Sequence, residues 1–231
     1  MTMRVDAILF DKDGTLFDFA TTWGAWARAF LLRATGGDTA RCRLVGAEIG
    51  YDFDTGRFDP SSIVIAGTTA EAAEALLPHF PEMGRHALIA LLNEEAARAP
   101  QAEAVPLVPL LDDLRGRGLR LGVATNDSEG PARAHLRGAG VLDRFDFVAG
   151  FDSGHGAKPE PGPLLAFADH VAANPNRIAM VGDSLHDLVA GRAAGMVTVA
   201  VLTGLATHDD LAPHADVVLP DIGHIPGWLD G

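Results

Sequence analysis

Short apolar runs that end in polar clusters recur along the chain. Residues 4–10, 119–124 and 177–181 are largely apolar, and each run stops at a group of small polar or acidic residues. Runs of this length bounded by turn-forming residues indicate buried strands that enter loops. Two further apolar runs, at 197–202 and 216–219, predict additional strands.

Segments with helical spacing separate the later strands. The pattern predicts helices over 109–117, 130–138, 162–173 and 185–194. An alternation of apolar strands and helices is typical of a parallel sheet covered on both faces. We therefore predict an α/β fold in which helices flank a parallel sheet.

Residues 19–99 break this alternation. They are rich in Ala, Leu, Glu and Arg with helical spacing, as in 22–32, and contain few strand signals. We interpret them as a helical subdomain inserted after the first strand. The core domain then comprises residues 1–18 and 100–231.

Composition and charge argue against several classes of protein. The chain has 231 residues, of which 48% are apolar, and a formal charge of -13. An acidic chain of this kind is a poor candidate for binding nucleic acid, which requires a basic surface. The single cysteine, Cys42, cannot form an internal disulfide, and no signal peptide or membrane-spanning segment is evident. We expect a cytoplasmic protein that does not bind membranes or nucleic acid; the oligomeric state is left open.

Chemically active side chains follow three of the predicted strands. Ligands bind beyond the carboxyl ends of strands in an open parallel sheet, so these residues should share one site. They are Asp11 and Asp13 after the first strand, Thr125 and Asn126 after the second, and Asp183 and Asp187 after the third, with Lys158 in a proline-rich loop between the last two.

This set of residues suits phosphoryl transfer. Carboxylates hold Mg²⁺, and one carboxylate can attack phosphorus to give an aspartyl-phosphate. A second acid can protonate the leaving oxygen and later activate water. Lysine and hydroxyl donors stabilise the charge on the transferred group.

The motifs resemble those of the haloacid dehalogenase (HAD) superfamily, in its phosphoglycolate-phosphatase-like branch with a helical cap. They stand in that family's order: Asp11-x-Asp13-Gly14-Thr15, Thr125, Lys158-Pro159 and Gly182-Asp183-x-x-x-Asp187. The inserted subdomain also falls where the family places its cap, so the resemblance spans essentially the whole chain. It implies a Rossmann-like core, Mg²⁺ as the cofactor, and a small phosphorylated metabolite as the substrate.

The resemblance also implies roles for the first motif. Asp11 would be the nucleophile and a metal ligand. Asp13 would be the general acid and base, with its backbone carbonyl on the metal. Family members that cleave carbon–halogen bonds lack an acid at the position of Asp13, so its presence favours phosphate esters and a phosphatase.

The other motifs would bind phosphate and metal. Thr125 and Asn126 would bind the phosphoryl group, and Lys158 would neutralise the nucleophile and the phosphate. Asp183 would bind Mg²⁺, and Asp187 would bind it directly or through water.

Alternatives to a phosphatase remain open from the sequence. A phosphomutase of the same superfamily would also use an acid at the position of Asp13, and a non-catalytic sensor of a phosphorylated ligand would keep the site. Phosphoglycolate, sugar phosphates and nucleotides all remain candidate ligands.

Weaker predictions concern three further residues and one segment. Trp23 and Arg57 would contact substrate if they face the core. Residues 52–56 are expected to form an ordinary turn rather than a calcium loop. Lys12 replaces the aromatic residue common in the family; strand alternation should turn it away from the site, and we predict no role for it.

Overall fold

The fold was obtained as a computed structural model, which describes residues 5–59 and 61–231. The strands are β1 (Ala7–Phe10), β2 (Tyr51–Asp52), β3 (Arg57–Phe58), β4 (Arg120–Ala124), β5 (Phe147–Ala149), β6 (Ile178–Gly182), β7 (Val197–Val201) and β8 (Val217–Leu219). The helices are α1 (Phe19–Ala34), α2 (Thr39–Glu48), α3 (Ile63–Ala66), α4 (Thr69–Leu76), α5 (Arg85–Arg98), α6 (Leu107–Gly116), α7 (Glu129–Gly138), α8 (Gly162–Val171), α9 (Leu185–Ala194), α10 (His208–Leu211) and α11 (Ile225–Asp230).

Six strands form one parallel sheet in the order β5-β4-β1-β6-β7-β8. The chain builds outward from β1 in one direction through β4 and β5, and then in the other through β6, β7 and β8. β1 therefore lies at the point where the strand order reverses, which is where ligands bind in open α/β sheets. In register, Phe10 of β1 pairs with Val123 of β4 and Val181 of β6, so these three strands end side by side. The predicted α/β class is confirmed.

The predicted elements of the core differ from the observed ones mainly at their ends. β1 begins at Ala7 rather than at residue 4, which lies outside the described residues. α9 has the predicted bounds, whereas α8 ends two residues early, because Ala172 adopts a left-handed conformation. β5 was not predicted, and neither were α10 and α11.

Residues 19–99 form helices α1–α5 and the two-residue hairpin β2–β3. Their buried apolar side chains, including Trp26, Phe30 and Leu92, form a cluster separate from those that pack on the sheet. This separate cluster supports the proposed division into a cap at 19–99 and a core at 1–18 and 100–231. Residues 52–56 lie in the hairpin turn, where the Asp52 carboxylate accepts hydrogen bonds from the backbone N–H groups of Asp54 and Thr55.

Among the described residues, every helix is too short or too polar to pass through a lipid bilayer.

Candidate active site

The ends of β1, β4 and β6 bring Asp11, Thr125 and Asp183 to one edge of the sheet. The Asp11 N–H donates to the Val181 carbonyl (2.8 Å), and the Thr125 N–H donates to the Ala149 carbonyl (3.0 Å), so the sheet pairing extends into the site. All three side chains are buried. The backbone ladder therefore fixes the positions of groups that loops alone would leave mobile.

Asp11, Asp183 and Asp187 form a buried cluster of carboxylates. Each contributes one oxygen, and these oxygens lie within 4.8 Å of one another. Asp187 lies in the first turn of α9, where its Oδ2 accepts hydrogen bonds from the Ser184 N–H (3.1 Å) and hydroxyl (2.7 Å). This capping box leaves Asp187 Oδ1 for the cluster.

Two glycines make room for the Asp183 carboxylate. Gly14 has a φ of +76°, and a Cβ there would overlap that carboxylate. A Cβ at Gly204 would overlap the same group. The loop after β1 can approach the end of β6 this closely only with glycine at position 14.

Lys158 places its ammonium between two of the acids. Its Nζ donates to Asp11 Oδ1 (2.7 Å) and Asp187 Oδ1 (2.6 Å). The loop that carries it is held by Asn126, whose side-chain amide donates to the Lys158 carbonyl (2.8 Å) and accepts from the Lys158 N–H (2.9 Å). Asn126 was predicted to bind phosphate; the structure adds that its side chain positions Lys158.

Electrostatics at the cluster favour an additional cation. Burial, followed by the neighbouring carboxylates of Asp187 and Asp13, raises the pKa of Asp11 to about 7, although Lys158 opposes the shift. Burial and the carboxylates of Asp11 and Asp187 likewise raise the pKa of Asp183 well above its ordinary value. Burial alone would lower the pKa of Lys158, but Asp11 and Asp187 outweigh it and raise that pKa. The acids of the cluster are thus short of positive charge.

A divalent metal fits these residues. Their ligand atoms are all carboxylate oxygens, which hard cations prefer, and a cation would supply the charge that the raised pKa values of Asp11 and Asp183 show to be missing. The Asp13 carboxylate lies outside this cluster, so a role for Asp13 in metal binding would rest on its backbone carbonyl, as predicted.

Asp13 is held by Lys12. The Lys12 Nζ lies 2.9 Å from Asp13 Oδ1 and 2.8 Å from Oδ2. Lys12 is absent from the lining of the cavity over the site, as strand alternation predicts, but the expectation that it has no role overlooked this contact. A signal was present in the sequence: of the 18 lysines and arginines, only Lys12 and Lys158 are lysines.

A cavity lies between the acidic cluster and the cap. Its lining includes Asp11, Asp13, Thr125, Asn126, Lys158, Asp183 and Asp187, which are all of the predicted site residues. Trp23 also lines the cavity, whereas Arg57 lines a different one beside the β2–β3 hairpin. The structure thus brings the predicted residues together and separates the two cap residues considered.

Comparisons with known proteins agree with this geometry. A family model described as haloacid dehalogenase-like hydrolase matches residues 5–195. The phosphoglycolate phosphatase of Xanthomonas campestris pv. campestris (strain 8004) is 32% identical over 228 residues, which cover 96% of each chain. That of Rhodospirillum rubrum is 39% identical over 120 residues, 52% of this chain, and the match spans only 50% of that relative's length.

A solved structure shows the same fold. A predicted phosphoglycolate phosphatase from Haemophilus somnus 129pt superposes with a TM-score of 0.71 at 21% identity, over 98% of each chain. The family match, the full-length relative and the shared fold all agree with the motif order in the sequence. The chain therefore belongs to the haloacid dehalogenase-like hydrolases, as a phosphatase of the phosphoglycolate-phosphatase-like branch.

Proposed function

We propose that this protein hydrolyses small phosphate monoesters in a Mg²⁺-dependent reaction that passes through an aspartyl-phosphate on Asp11. One observation carries the proposal: Asp11 lies in a buried cluster with Asp183 and Asp187, while Lys158 bonds directly to its carboxylate. The proposed nucleophile, the proposed metal ligands and the proposed phosphate-neutralising cation are thus adjacent.

In the first step, an Asp11 oxygen attacks phosphorus and the ester oxygen leaves. Mg²⁺ held by Asp11, Asp183 and Asp187 would offset the repulsion between the anionic nucleophile and the phosphate. Lys158 and the Thr125 hydroxyl would donate to the equatorial oxygens of the transferred group. Asp13 lines the cavity and would protonate the leaving oxygen.

In the second step, water attacks the aspartyl-phosphate. Asp13, now ionised, would accept a proton from this water, and the products are phosphate and the free Asp11 carboxylate. Phe19, Trp23 and Trp26 line the cavity from the proposed cap, and their apolar surfaces would exclude bulk water from the reacting groups.

The physiological setting stays a proposal. Both relatives described above are named phosphoglycolate phosphatase, which makes phosphoglycolate one candidate substrate beside sugar phosphates and nucleotides. The lack of a nucleic-acid partner remains a prediction, supported by the acidic composition. A cytoplasmic location also remains a prediction.

The test is phosphate release from a panel of monoesters, with Mg²⁺ and with EDTA. Asp11→Asn should lose roughly 10⁴-fold or more of the wild-type kcat, as expected for a nucleophile. Asp169→Asn, an exposed acid on α8, is the matched control and should keep full activity. Phosphate release by Asp11→Asn at the wild-type rate would exclude Asp11 as the nucleophile. Transfer of the phosphoryl group to a second sugar hydroxyl, without free phosphate, would instead identify a mutase.

A further inference from the structure

Of the 18 lysines and arginines in the chain, only those at positions 12 and 158 are lysines. Both lysines are buried, with exposed fractions of 0% and 5%, and each contacts two aspartates. Lys158 belongs to the proposed phosphate site. Lys12 has no part in the mechanism described above, although burying a lysine ammonium is costly unless its partners repay it.

Lys12 is surrounded by acceptors. Besides both Asp13 oxygens, its Nζ lies 3.2 Å from Asp127 Oδ2 and 3.0 Å from His135 Nδ1. The Trp23 ring of the cap covers it, with the ring centroid 5.5 Å away. An ammonium carries three donors, which matches the three partner side chains Asp13, Asp127 and His135.

The contact with His135 links Lys12 to the cap. Because lysine can only donate, His135 Nδ1 must accept, and Nε2 therefore carries the proton. Nε2 lies 2.6 Å from the carbonyl oxygen of Ala96, in the last turns of cap helix α5. Burial, and then the charge of Lys12, lowers the pKa of His135 to about 4, consistent with a neutral ring.

We propose that Lys12 is a positioning residue that holds the Asp13 carboxylate, and that the His135–Ala96 hydrogen bond makes this position depend on the docking of α5. The proposal rests on the role of Asp13 as general acid given under the proposed function. A second contact joins the same elements, since the Ser128 hydroxyl, next to Asp127, donates to Asn93 of α5 (3.0 Å). Cap closure and acid placement are thus one structural event.

The test compares substrates whose leaving groups differ in basicity. General acid catalysis contributes about 10²–10⁴-fold for a poor leaving group and little for a good one. Lys12→Met should therefore lower kcat/KM for an alkyl phosphate by roughly 10²-fold, but for p-nitrophenyl phosphate by less than about tenfold. A purely structural defect would lower both equally, and that result would overturn the proposal.

Asp13→Asn separates this inference from the proposed function. It should show the same leaving-group dependence, and the double variant Lys12→Met with Asp13→Asn should lose no more activity than Asp13→Asn alone. Additive losses would overturn the positioning role, while an Asp13→Asn variant without leaving-group dependence would overturn the role of Asp13 itself.

Where Lys12→Met does not fold, His135→Phe keeps the lysine and breaks the link to Ala96. This variant should give the same dependence on the leaving group at smaller magnitude. An equal loss on both substrates would again overturn the proposal.

The core side and the cap side of the cavity differ in charge. The core side carries the charged residues, whereas the cap side presents Phe19, Trp23, Trp26, Val64, Ile65 and Ala72. Among the described cap residues, no lysine or arginine lines the cavity. Arginines of the cap are engaged elsewhere, as Arg33 is with Glu95 and Arg43 with Asp54.

The cap offers uncharged donors instead. Trp23 Nε1 is buried and has no hydrogen-bond partner among the described residues. The N-terminus of α4, which also lines the cavity at Thr68 and Thr69, already holds the Glu71 carboxylate through the Thr68 N–H (2.7 Å). A second anion placed there would meet a carboxylate and apolar side chains.

From this we infer that the leaving group is an uncharged alcohol with an apolar face and an oxygen that accepts a hydrogen bond from Trp23 Nε1. This inference also rests on the proposed phosphatase activity. An aromatic floor and an unpaired N–H suit a hydroxylated ring or chain. A second carboxylate or phosphate facing the cap side would have no lysine or arginine of the described cap residues as a counter-charge.

Matched substrate pairs test the inference. 2-Hydroxyethyl phosphate and phosphoglycolate differ only in a CH₂OH against a carboxylate, and sorbitol 6-phosphate pairs with 6-phosphogluconate in the same way. The neutral member should have a kcat/KM at least about tenfold higher, and Trp23→Phe should reduce that value by about tenfold by removing one buried hydrogen bond. Thr69→Lys, which adds a cation at the cavity wall, should favour the acidic member.

The outcomes are distinguishable. A higher kcat/KM for the acidic members would overturn the inference and leave the phosphatase proposal standing. If Trp23→Phe kept the wild-type kcat/KM, Trp23 would have no role in binding the leaving group. No turnover of either member of any pair, by folded protein in the presence of Mg²⁺, would overturn the proposed function and this inference together.

Discussion

Glycine is needed at position 14 for two reasons, its backbone conformation and the lack of space for a Cβ. A matched substitution elsewhere in the chain separates the two. It has a positive φ, and any Cβ there would overlap the Asp183 carboxylate. Gly36, at the end of α1, also has a positive φ (+64°), but a Cβ there would have open space around it. Both Gly→Ala variants should lose about 1 kcal/mol of stability from backbone strain.

Only Gly14→Ala should also lose Mg²⁺-dependent activity, because the added methyl would displace Asp183, a proposed metal ligand. Thermal unfolding and phosphate release against Mg²⁺ concentration would measure the two effects. Equal activity in the two variants would mean that the Asp183 carboxylate tolerates displacement.

The pKa values of the site predict how pH and metal should act together. The folded-state pKa of Asp11 is raised to about 7, and that of Asp183 is raised as well. A raised folded-state pKa stabilises the metal-free protein below the unfolded-state value, and this contribution is lost as pH rises towards 7. Mg²⁺ competes with the same protons, so it should bind more tightly above that pH.

Thermal shift assays at about pH 5.5 and pH 8 would test this. The rise in Tm caused by Mg²⁺ should be larger at pH 8, and the Tm of the metal-free protein should fall between about pH 4 and 7. Asp11→Asn should reduce that fall, whereas Asp169→Asn should not. A Mg²⁺ shift that is the same at both pH values would contradict the raised pKa values.

In the loop between β5 and α8, the segment around Lys158 is anchored by a side chain of the neighbouring loop. Asn126 both donates to and accepts from the backbone of Lys158. Asn126→Asp keeps the acceptor for the Lys158 N–H and replaces the donor to its carbonyl by a second repelling oxygen. This variant should lose about 10²-fold in kcat, since misplacing Lys158 by as little as 1 Å has effects of this size.

Asn126→Ala serves as the comparison. If the side chain acts only through Lys158, the double variant Asn126→Ala with Lys158→Ala should be no slower than Lys158→Ala alone. Further slowing in the double variant would show that Asn126 acts on the phosphoryl group independently of Lys158.

Elements with a strong periodic signal were predictable from the sequence, and weak ones were not. β4, β6 and β7 are fully buried runs or nearly so, and α9 is bounded by a capping box and by Gly195 in the left-handed conformation. β5 has three residues at the edge of the sheet, too few to show alternation. The short helices α10 and α11 carry little periodicity for the same reason.

Some features of the site were predictable from the sequence, and others were not. Its acidic residues follow the ends of β1 and β6, so their convergence could be predicted from the rule that ligands bind at the carboxyl ends of strands. The role of Asn126 in holding Lys158, and the contact between Lys12 and Asp13, depend on side-chain directions across different loops. Sequence spacing does not encode those directions.

At the scale of the whole molecule, the formal charge of -13 opposes an anionic substrate. At physiological ionic strength, charges beyond about 8 Å are largely screened, and Lys158 and the metal dominate locally. At low salt the repulsion reaches further, so association should slow. We expect kcat/KM for a phosphate dianion to rise about two- to threefold as salt increases from about 10 to 150 mM, at constant free Mg²⁺.

In the same experiment kcat should stay constant, because a bound substrate no longer crosses the field of the protein. Stopped-flow measurement of substrate binding to Asp11→Asn would show whether the change in kcat/KM comes from the association rate. A kcat/KM that falls with salt would mean that the local field of Lys158 and Mg²⁺ extends beyond the cavity and attracts the substrate despite the net charge. The sign of the salt dependence therefore decides whether the acidic surface or the site controls substrate capture.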